Sequence, residues 1–392
     1  MKHRWHLGIA LLALSLPGRL AFAGDGPALG AHLNELLDYA RSHHPQLIAF
    51  HQETEALASD AQAADALPDP QVQIELMDIT NAMADAPPSL LPGAVGETRY
   101  RVMQPVPYPG KRQARRDLAD LATARAERDQ HAATLALLAS LKQVQARRYQ
   151  VQQQQTWLED SLRWLDAIIR TAEQRYSVGL SDQTAILDAQ AERHRLQLEQ
   201  WDLRGEQTAL DTQLNSLLGR PANTPLEAAQ PLPWPASLPT LDVLIAQAEN
   251  TAPDLAGERV GLAMAAQAER VQRLERYPDF ALGIAHERPR AGRASWGVML
   301  EVSVPLQQAA RRSREHASEH RRQAAEQRVR ASQLSLAGEI GRWHAQVSSN
   351  LGKARLIREQ LLPANLAQRA AAQAQYTSNQ GDISAVMAAH RA

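Results

Sequence analysis

His316 and His320 stand four residues apart with Glu315 and Glu319 beside them. That spacing puts two imidazoles on one helix face, where they can hold a divalent cation. No third ligand accompanies them, and the nearby Arg311, Arg312 and Arg314 read as a solvated helix face, so no metal site is assigned. His43, His44 and His51 form a looser group read in the same way. Met77, Met83 and Met103 carry thioethers, soft ligands suited to Cu(I). Near strand ends they read first as packing or lipid-facing side chains. Asp182 and Asp382 each precede a helical apolar pattern and are candidate helix N-caps. The chain has no GxxxxGK[ST], no GxGxxG after a strand, no HExxH and no GxSxG. It is therefore not read as an enzyme, and no cofactor is expected.

The two aspartates belong to a duplicated stretch. RYSVGLSDQTAILDAQAE, from Arg175 to Glu192, returns as QYTSNQGDISAVMAAHRA, from Gln375 to Ala392. Tyr176 matches Tyr376, Asp182 matches Asp382, Ala185 matches Ala385 and Ala189 matches Ala389. Each copy reads as a tight turn between two helices, with Gly179 free to take a positive φ in the first. The duplication reaches further, through Leu33/Leu241, Leu36/Leu244, Ala40/Ala248, Pro45/Pro253 and Leu47/Leu255, and through Pro68-Asp69/Pro278-Asp279. Two similar halves follow.

After each Pro-Asp pair the apolar period changes from helical to two, which is a strand signature. Val72, Ile74 and Leu76 share one face against Gln71, Gln73 and Glu75; Phe280, Leu282 and Ile284 share another. A second alternating run follows in each half, ending at Pro105 and Pro107 or at Pro305. Strands are expected over 71–77, 98–104, 280–286 and 296–304.

From Lys111 to Val178 there is no Gly and no Pro. Val151, Leu158, Leu162, Leu165, Ile169, Ala172 and Tyr176 recur at coiled-coil spacing. A return helix from Ser181 closes at LNSLLGRP, where Gly219 and Pro221 are stop signals, so a long helical hairpin is expected over 111–219. In the second half a long helix is expected over 306–378, with a seam of Leu336, Ile340, Trp343, Val347, Ala354, Ile357 and Leu361 and a kink at Pro363. Between the halves, residues 221–240 are rich in proline and read as an extended linker. The reading is a signal segment over 1–23, a first repeat over 24–220, the linker, and a second repeat over 241–392.

The signal segment rests on Lys2 and Arg4, an apolar run from Leu7 to Leu16, and the small-residue site Ala21-Phe22-Ala23. The chain has no cysteine, which leaves no disulfide, no thiolate metal site and no lipid-anchor cysteine. Net charge is −1, so no nucleic-acid partner is expected. No other segment is apolar enough to cross a bilayer as a helix, so a membrane role requires a β-barrel.

These features together resemble the outer-membrane efflux proteins of the TolC family. The residues that carry the resemblance are RYSVGLSDQTAILDAQ, LNSLLGRP, the strand-to-helix joint QPVPYPGKRQARRD (Gln104–Asp117) and PDPQVQIELMDI (Pro68–Ile79). The last two look most like the heavy-metal branch, partners of copper, silver, cobalt, zinc or cadmium RND pumps. The implied fold is mainly α with a small β part: duplicated coiled-coil hairpins and two strand pairs, forming a trimeric 12-stranded outer-membrane β-barrel above a periplasmic α-helical tunnel. The implied function is passive export through a tripartite pump, with a periplasmic adaptor and an inner-membrane RND pump as partners and the barrel in outer-membrane lipid. The resemblance places the adaptor contact at Val178, Gly179, Leu180, Ser378, Asn379 and Gln380. With Ala385 and Ala388 where some relatives carry aspartates, Asp382 is the remaining acidic gate candidate.

Two other classes fit part of the pattern. A periplasmic adaptor has one hairpin flanked by β-rich domains rather than two hairpins each preceded by strands. A secreted structural coiled coil explains the heptads but not the strands. A last expectation comes from comparing the halves: 37 residues separate Asp182 from Gly219, whereas ten follow Asp382. The second return helix is expected to be truncated, with either a functional gene product carrying further residues resembling Ala191–Gly219 or a protein that as given cannot seal a tunnel.

Overall fold

The structure, a computed structural model, describes residues 29–82, 86–179, 182–233, 237–378 and 380–391. The expected signal segment lies outside the described residues, as do Met83, Leu180, Ser181 and Asn379. The first repeat opens with α1 (Leu33–His43) and α2 (Pro45–Ala63), split at Pro45, which starts the second helix because its missing N–H has no partner there anyway. β1 (Gln71–Met77) and β2 (Glu97–Val106) follow, then α3 (Lys111–Ser177) and α4 (Gln183–Leu217). The second repeat runs α5 (Leu241–Thr251), α6 (Pro253–Leu274), β3 (Asp279–Pro289), β4 (Ser295–Ser303), α7 (Gln308–Leu356), α8 (Leu362–Thr377) and α9 (Ile383–Arg391).

The spine is α3. Its 67 residues extend about 100 Å, and α1, α2, α4 and α6 all pack on it. Its seam buries Val151, Leu158, Leu165, Ile169 and Ala172. Around the middle of α3, Leu36, Leu37 and Ala40 of α1 meet Leu141, Val144 and Val151 of α3 and Leu203, Leu210 and Leu214 of α4 in one apolar core. The linker crosses this region as extended chain. Glu227 N–H donates to Leu29 O at 2.9 Å and Gln230 N–H to Ala31 O at 3.0 Å.

Tyr176 departs from the expected seam. It is 48% exposed, whereas its twin Tyr376 is 2% exposed. Tyr376 sits in the apolar core with Leu165, Ile169 and Ile186, and the Arg175 guanidinium lies 4.5 Å from its ring centroid and also donates to its carbonyl.

The long second helix is also interrupted. Pro363 cannot donate to the carbonyl four residues back, and its ring crowds that carbonyl. A π-helical turn at Ile357–Leu361 absorbs the mismatch, with Leu362 N–H reaching back to Ile357 O. The helix also starts at Gln308 rather than 306. Its seam is open: Trp343, Ile357 and Leu361 are each about half exposed.

Gly219 ends the first hairpin at φ 71°, and a Cβ there would stand 2.7 Å from Pro45 Cδ. Both the left-handed backbone and the close approach to the α1–α2 joint need glycine. Gly219→Ala is expected to cost about 1–3 kcal/mol, read as a lower thermal midpoint of the detergent-solubilised protein; an unchanged midpoint would show that the joint gives way freely.

Candidate functional site

The four strands form one antiparallel sheet in the order β1-β2-β3-β4, so β2 and β3 join the two repeats. The register lines up one residue from each strand in rows: Val72, Val102, Ile284 and Val298 in one, Ile74, Tyr100, His286 and Trp296 in the next. Because side chains alternate with period two, these rows share a face. That face is apolar and uncovered, with Val298 87% and Leu300 67% exposed. The opposite face is charged and internally paired. Arg99 Nε lies 2.7 Å from Glu287 Oε1, and Arg101 lies 2.9 Å from Glu75. One side of the sheet is thus apolar and open, and the other is ion-paired.

Below the sheet, Lys111 opens α3 with its side chain only 3% exposed. Its Nζ donates to Tyr277 O at 3.0 Å and to both Asp279 oxygens at 2.9 and 3.0 Å. The Tyr108 N–H donates to Asp279 Oδ1 at 2.8 Å, and Tyr108 stacks on Tyr277 with centroids 4.4 Å apart. This clamp fixes the start of β3 to the start of α3 and so couples sheet to helix. Its parts, the Pro-Asp pair and the PYPGKR joint, are visible in sequence. Their meeting is not, because it spans both repeats. Lys111→Ala strips three charge-assisted hydrogen bonds from one anchor and is expected to cost about 1.5–3 kcal/mol. Lys111→Arg should recover little, since a fork does not fill the place of a point charge; thermal melts of both variants check this.

At the far end of α3 the turns lie over a second apolar core, in which Leu165, Ile169, Ile186, Tyr376, Ile383, Val386 and Met387 meet. Val178 is 67% exposed. Gly179 turns at φ 75°, its N–H donating to Tyr176 O at 3.0 Å. Ser378 and Gln380 are exposed, and Gln380 N–H closes the second turn on Gln375 O at 2.9 Å. Of the six residues expected at the adaptor contact, Leu180 and Asn379 lie outside the described residues. Asp182 caps α4, accepting from Thr184 N–H at 3.3 Å and Thr184 Oγ1 at 2.6 Å. The Thr184 hydroxyl and N–H together hold its carboxyl below the usual range. Asp382 accepts from the Ser384 hydroxyl before α9.

The candidate metal ligands are dispersed. Arg276 hydrogen-bonds Glu315 and holds its carboxyl below the usual range, which takes that carboxylate away from His316. His316 itself lies 3.7 Å from Glu319. His43 stacks on Tyr39 at 4.2 Å. Met103 is buried against Gly283, while Met77 lies at the other end of β1 opposite Glu97, roughly 20 Å away along the strand. Among the described residues no group of three or more His, Cys, Asp or Glu could hold a metal ion. Among the same residues no helix is long and apolar enough to cross a membrane.

A family model described as outer membrane efflux protein matches residues 36–220. Over those residues, just under half of the chain, the sequence is similar to that family. They span most of the first repeat. A comparison with curated proteins finds no match. Solved structures share the fold across both repeats. The outer membrane protein VceC of Vibrio cholerae superposes with a TM-score of 0.74 at 18% identity, covering 92% of this chain and 89% of that one. The outer-membrane channel OprN gives 0.77 at 16% identity, covering 92% and 83%. CusC, described through its transmembrane channel formation, gives 0.67 at 17% identity, covering 92% and 85%. The mainly helical fold with its small antiparallel sheet is thus shared with these outer-membrane proteins.

Proposed function

We propose that this chain is one subunit of a homotrimeric outer-membrane channel, a passive export conduit for a tripartite RND pump. The observation that carries this reading is the sheet: apolar on its open face, ion-paired on the other, with both outer edges unpaired, and running straight into α3. Four strands cannot close a barrel, and lipid does not tolerate free edges; three copies give twelve strands and no edge. The long helices of three copies then line a tunnel into the periplasm. An adaptor does not account for two hairpin repeats joined through one sheet.

The six residues Val178, Gly179, Leu180, Ser378, Asn379 and Gln380 are the proposed seat for the adaptor's helical tip, with Val178, Ser378 and Gln380 exposed, and Asp382 the proposed acidic element of the gate. Asp382→Ala should increase ion leakage through the purified trimer in planar bilayers; unchanged leakage removes Asp382 from the gate. The proposed cargo is heavy-metal ions. That choice rests on the resemblance around PDPQVQIELMDI and PYPGKR, with the pump setting selectivity. Deleting the gene and measuring minimum inhibitory concentrations for Cu, Ag, Zn, Cd and Co beside several drugs tests it. Sensitivity to metals is expected, and sensitivity to drugs alone overturns the metal assignment. Recovery of a heat-modifiable trimer from the outer-membrane fraction tests the channel itself.

A further inference from the structure

The open face of the sheet changes character along the strands. Counting away from the helices, its rows begin with Leu282 and Leu300, pass through Val72, Val102, Ile284 and Val298, and reach Ile74, Tyr100, His286 and Trp296. The last of these rows is aromatic: the His286 ring lies 4.5 Å from Trp296 and 6.4 Å from Tyr100. One row further out come Leu76, Thr98 and Arg288. Among the described strand residues, Arg288 is the one side chain on this face with a permanent charge, since the other strand arginines and every strand carboxylate fall on the opposite side by parity.

The β1–β2 connection folds over this outermost row. Gly93 N–H donates to the Thr98 hydroxyl at 2.8 Å, and Thr98 is wholly buried. A Cβ built on Gly93 would stand 3.9 Å from Arg288 Nη1. Arg290, two residues on and of the same parity, donates from Nη1 to Ala94 O at 3.0 Å, and its backbone N–H donates to Gly96 O at 2.9 Å. The connection is pinned from within: Asn81, wholly buried at φ 52°, donates to Pro87 O at 2.6 Å and to Ala94 O at 3.0 Å. Two exposed arginines are thus rooted about 7 Å apart along one strand. Among the described residues neither meets a carboxylate within ion-pair distance. Leu90 and Leu91 of the same connection are 72% and 70% exposed.

We infer that Arg288 and Arg290, with Leu90 and Leu91 on the loop that covers their row, form a binding site for a phosphorylated glycolipid of the outer leaflet. The inference rests on the channel reading above, which turns the helices toward the periplasm and this rim toward the cell exterior. On a lipid-facing sheet an aromatic row marks where the hydrocarbon ends. The arginines begin one row beyond it, at the level of a phosphate headgroup. A guanidinium fork pairs two phosphate oxygens at once, and the anion supplies the partner that these two cations lack within the chain. Leu90 and Leu91 offer apolar surface to the acyl chains of the same molecule. The other end of this face carries Gln104, Phe280 and Val302 and no arginine, so the site belongs to one leaflet.

The test uses the full-length oligomer in detergent, titrated with bisphosphorylated lipid A in mixed micelles, with bound lipid counted by native mass spectrometry. Wild type is expected to retain the lipid, and Arg288→Gln to bind it on the order of tenfold more weakly, the loss of one charge-assisted contact. Arg288→Lys should fall between them. Dephosphorylated lipid A, with the same acyl chains, should also bind wild type on the order of tenfold more weakly or worse, a comparison that holds even if Arg288→Gln fails to assemble. Equal retention of the two lipids by wild type, or of the bisphosphorylated lipid by wild type and Arg288→Gln, overturns the site. Displacement by millimolar inorganic phosphate would make it a phosphate site, and equal retention of phosphatidylglycerol a general anionic-lipid contact; either overturns the glycolipid assignment. A heat-modifiable oligomer that binds no lipid A sinks the inference and leaves the channel reading standing. A chain that gives no oligomer in the outer-membrane fraction overturns both.

Discussion

Arg148→Ala is expected to destabilise the protein by about 3 kcal/mol, near the lower end of what breaking a buried ion pair costs. Arg148 is 1% exposed, yet it sits in the middle of the apolar seam of α3. Its Nε donates to Asp211 of α4 at 2.6 Å, and its other nitrogens reach Gln145 Oε1 at 3.0 Å, Glu227 O at 3.1 Å and Gly30 O at 3.4 Å. One guanidinium thus ties both arms of the first hairpin to the linker and to the entering chain. Truncation leaves two backbone carbonyls and a carboxylate short of a donor and opens a cavity. Asp211 keeps a neighbour in Gln207 and is partly open to water, which holds the cost below the upper end. Arg148→Lys keeps the charge but loses the fork, so it should fall between wild type and alanine. Denaturant unfolding of the solubilised protein reads all three; a loss below about 1 kcal/mol for the alanine variant would show that water replaces the guanidinium.

Arg148 also shows where the sequence becomes hard to read. Leu141, Val144, Val151 and Leu158 mark the seam plainly, and Gln145 and Arg148 fall on it. A charge on an apolar stripe is a signal, but it does not say what the charge meets. Its partners come from three distant segments, and nothing local names them. The strands were legible because alternation is a local property: Val72, Ile74 and Leu76 against Gln71, Gln73 and Glu75 needs no knowledge of neighbours. That β2 lies beside β3, joining the repeats into one sheet, is a long-range fact that no single run carries. Tyr176 and Tyr376 make the same point at the tip. Equal residues in equal motifs have different burial because Tyr376 joins the apolar core with Leu165, Ile169 and Ile186, and Tyr176 does not. The π-turn before Pro363 was foreseeable as a kink, since proline removes a known hydrogen bond, but which way the helix absorbs it depends on its packing. The same holds at Glu315: spacing along the chain puts it beside His316, but Arg276, just past the end of α6, engages that carboxylate, and no local pattern carries that contact.

Leu300→Arg is expected to cost about 2–4 kcal/mol of membrane-inserted stability if its side chain meets lipid near the bilayer midplane, and Ile74→Arg a similar amount. Both lie on the apolar face, in rows that run across the sheet: Leu300 opposite Leu282 and Gln104, Ile74 opposite Tyr100, His286 and Trp296. Neither has a carboxylate on its own face to pair with, because Glu75, Glu97, Glu287 and Glu301 all point to the other side by strand parity. An arginine placed there must snorkel or drag water with it. Met299→Arg, one residue away but on the inner face, meets water and the carboxylates of that face, and should leave assembly nearly unchanged. The contrast between adjacent positions separates lipid exposure from general damage to β4. Trimer yield in outer-membrane extracts and urea unfolding in liposomes measure it. Equal losses at Leu300 and Met299 would mean that the strand is fragile on both sides, and intact assembly of both Leu300→Arg and Ile74→Arg would mean that this face does not meet lipid.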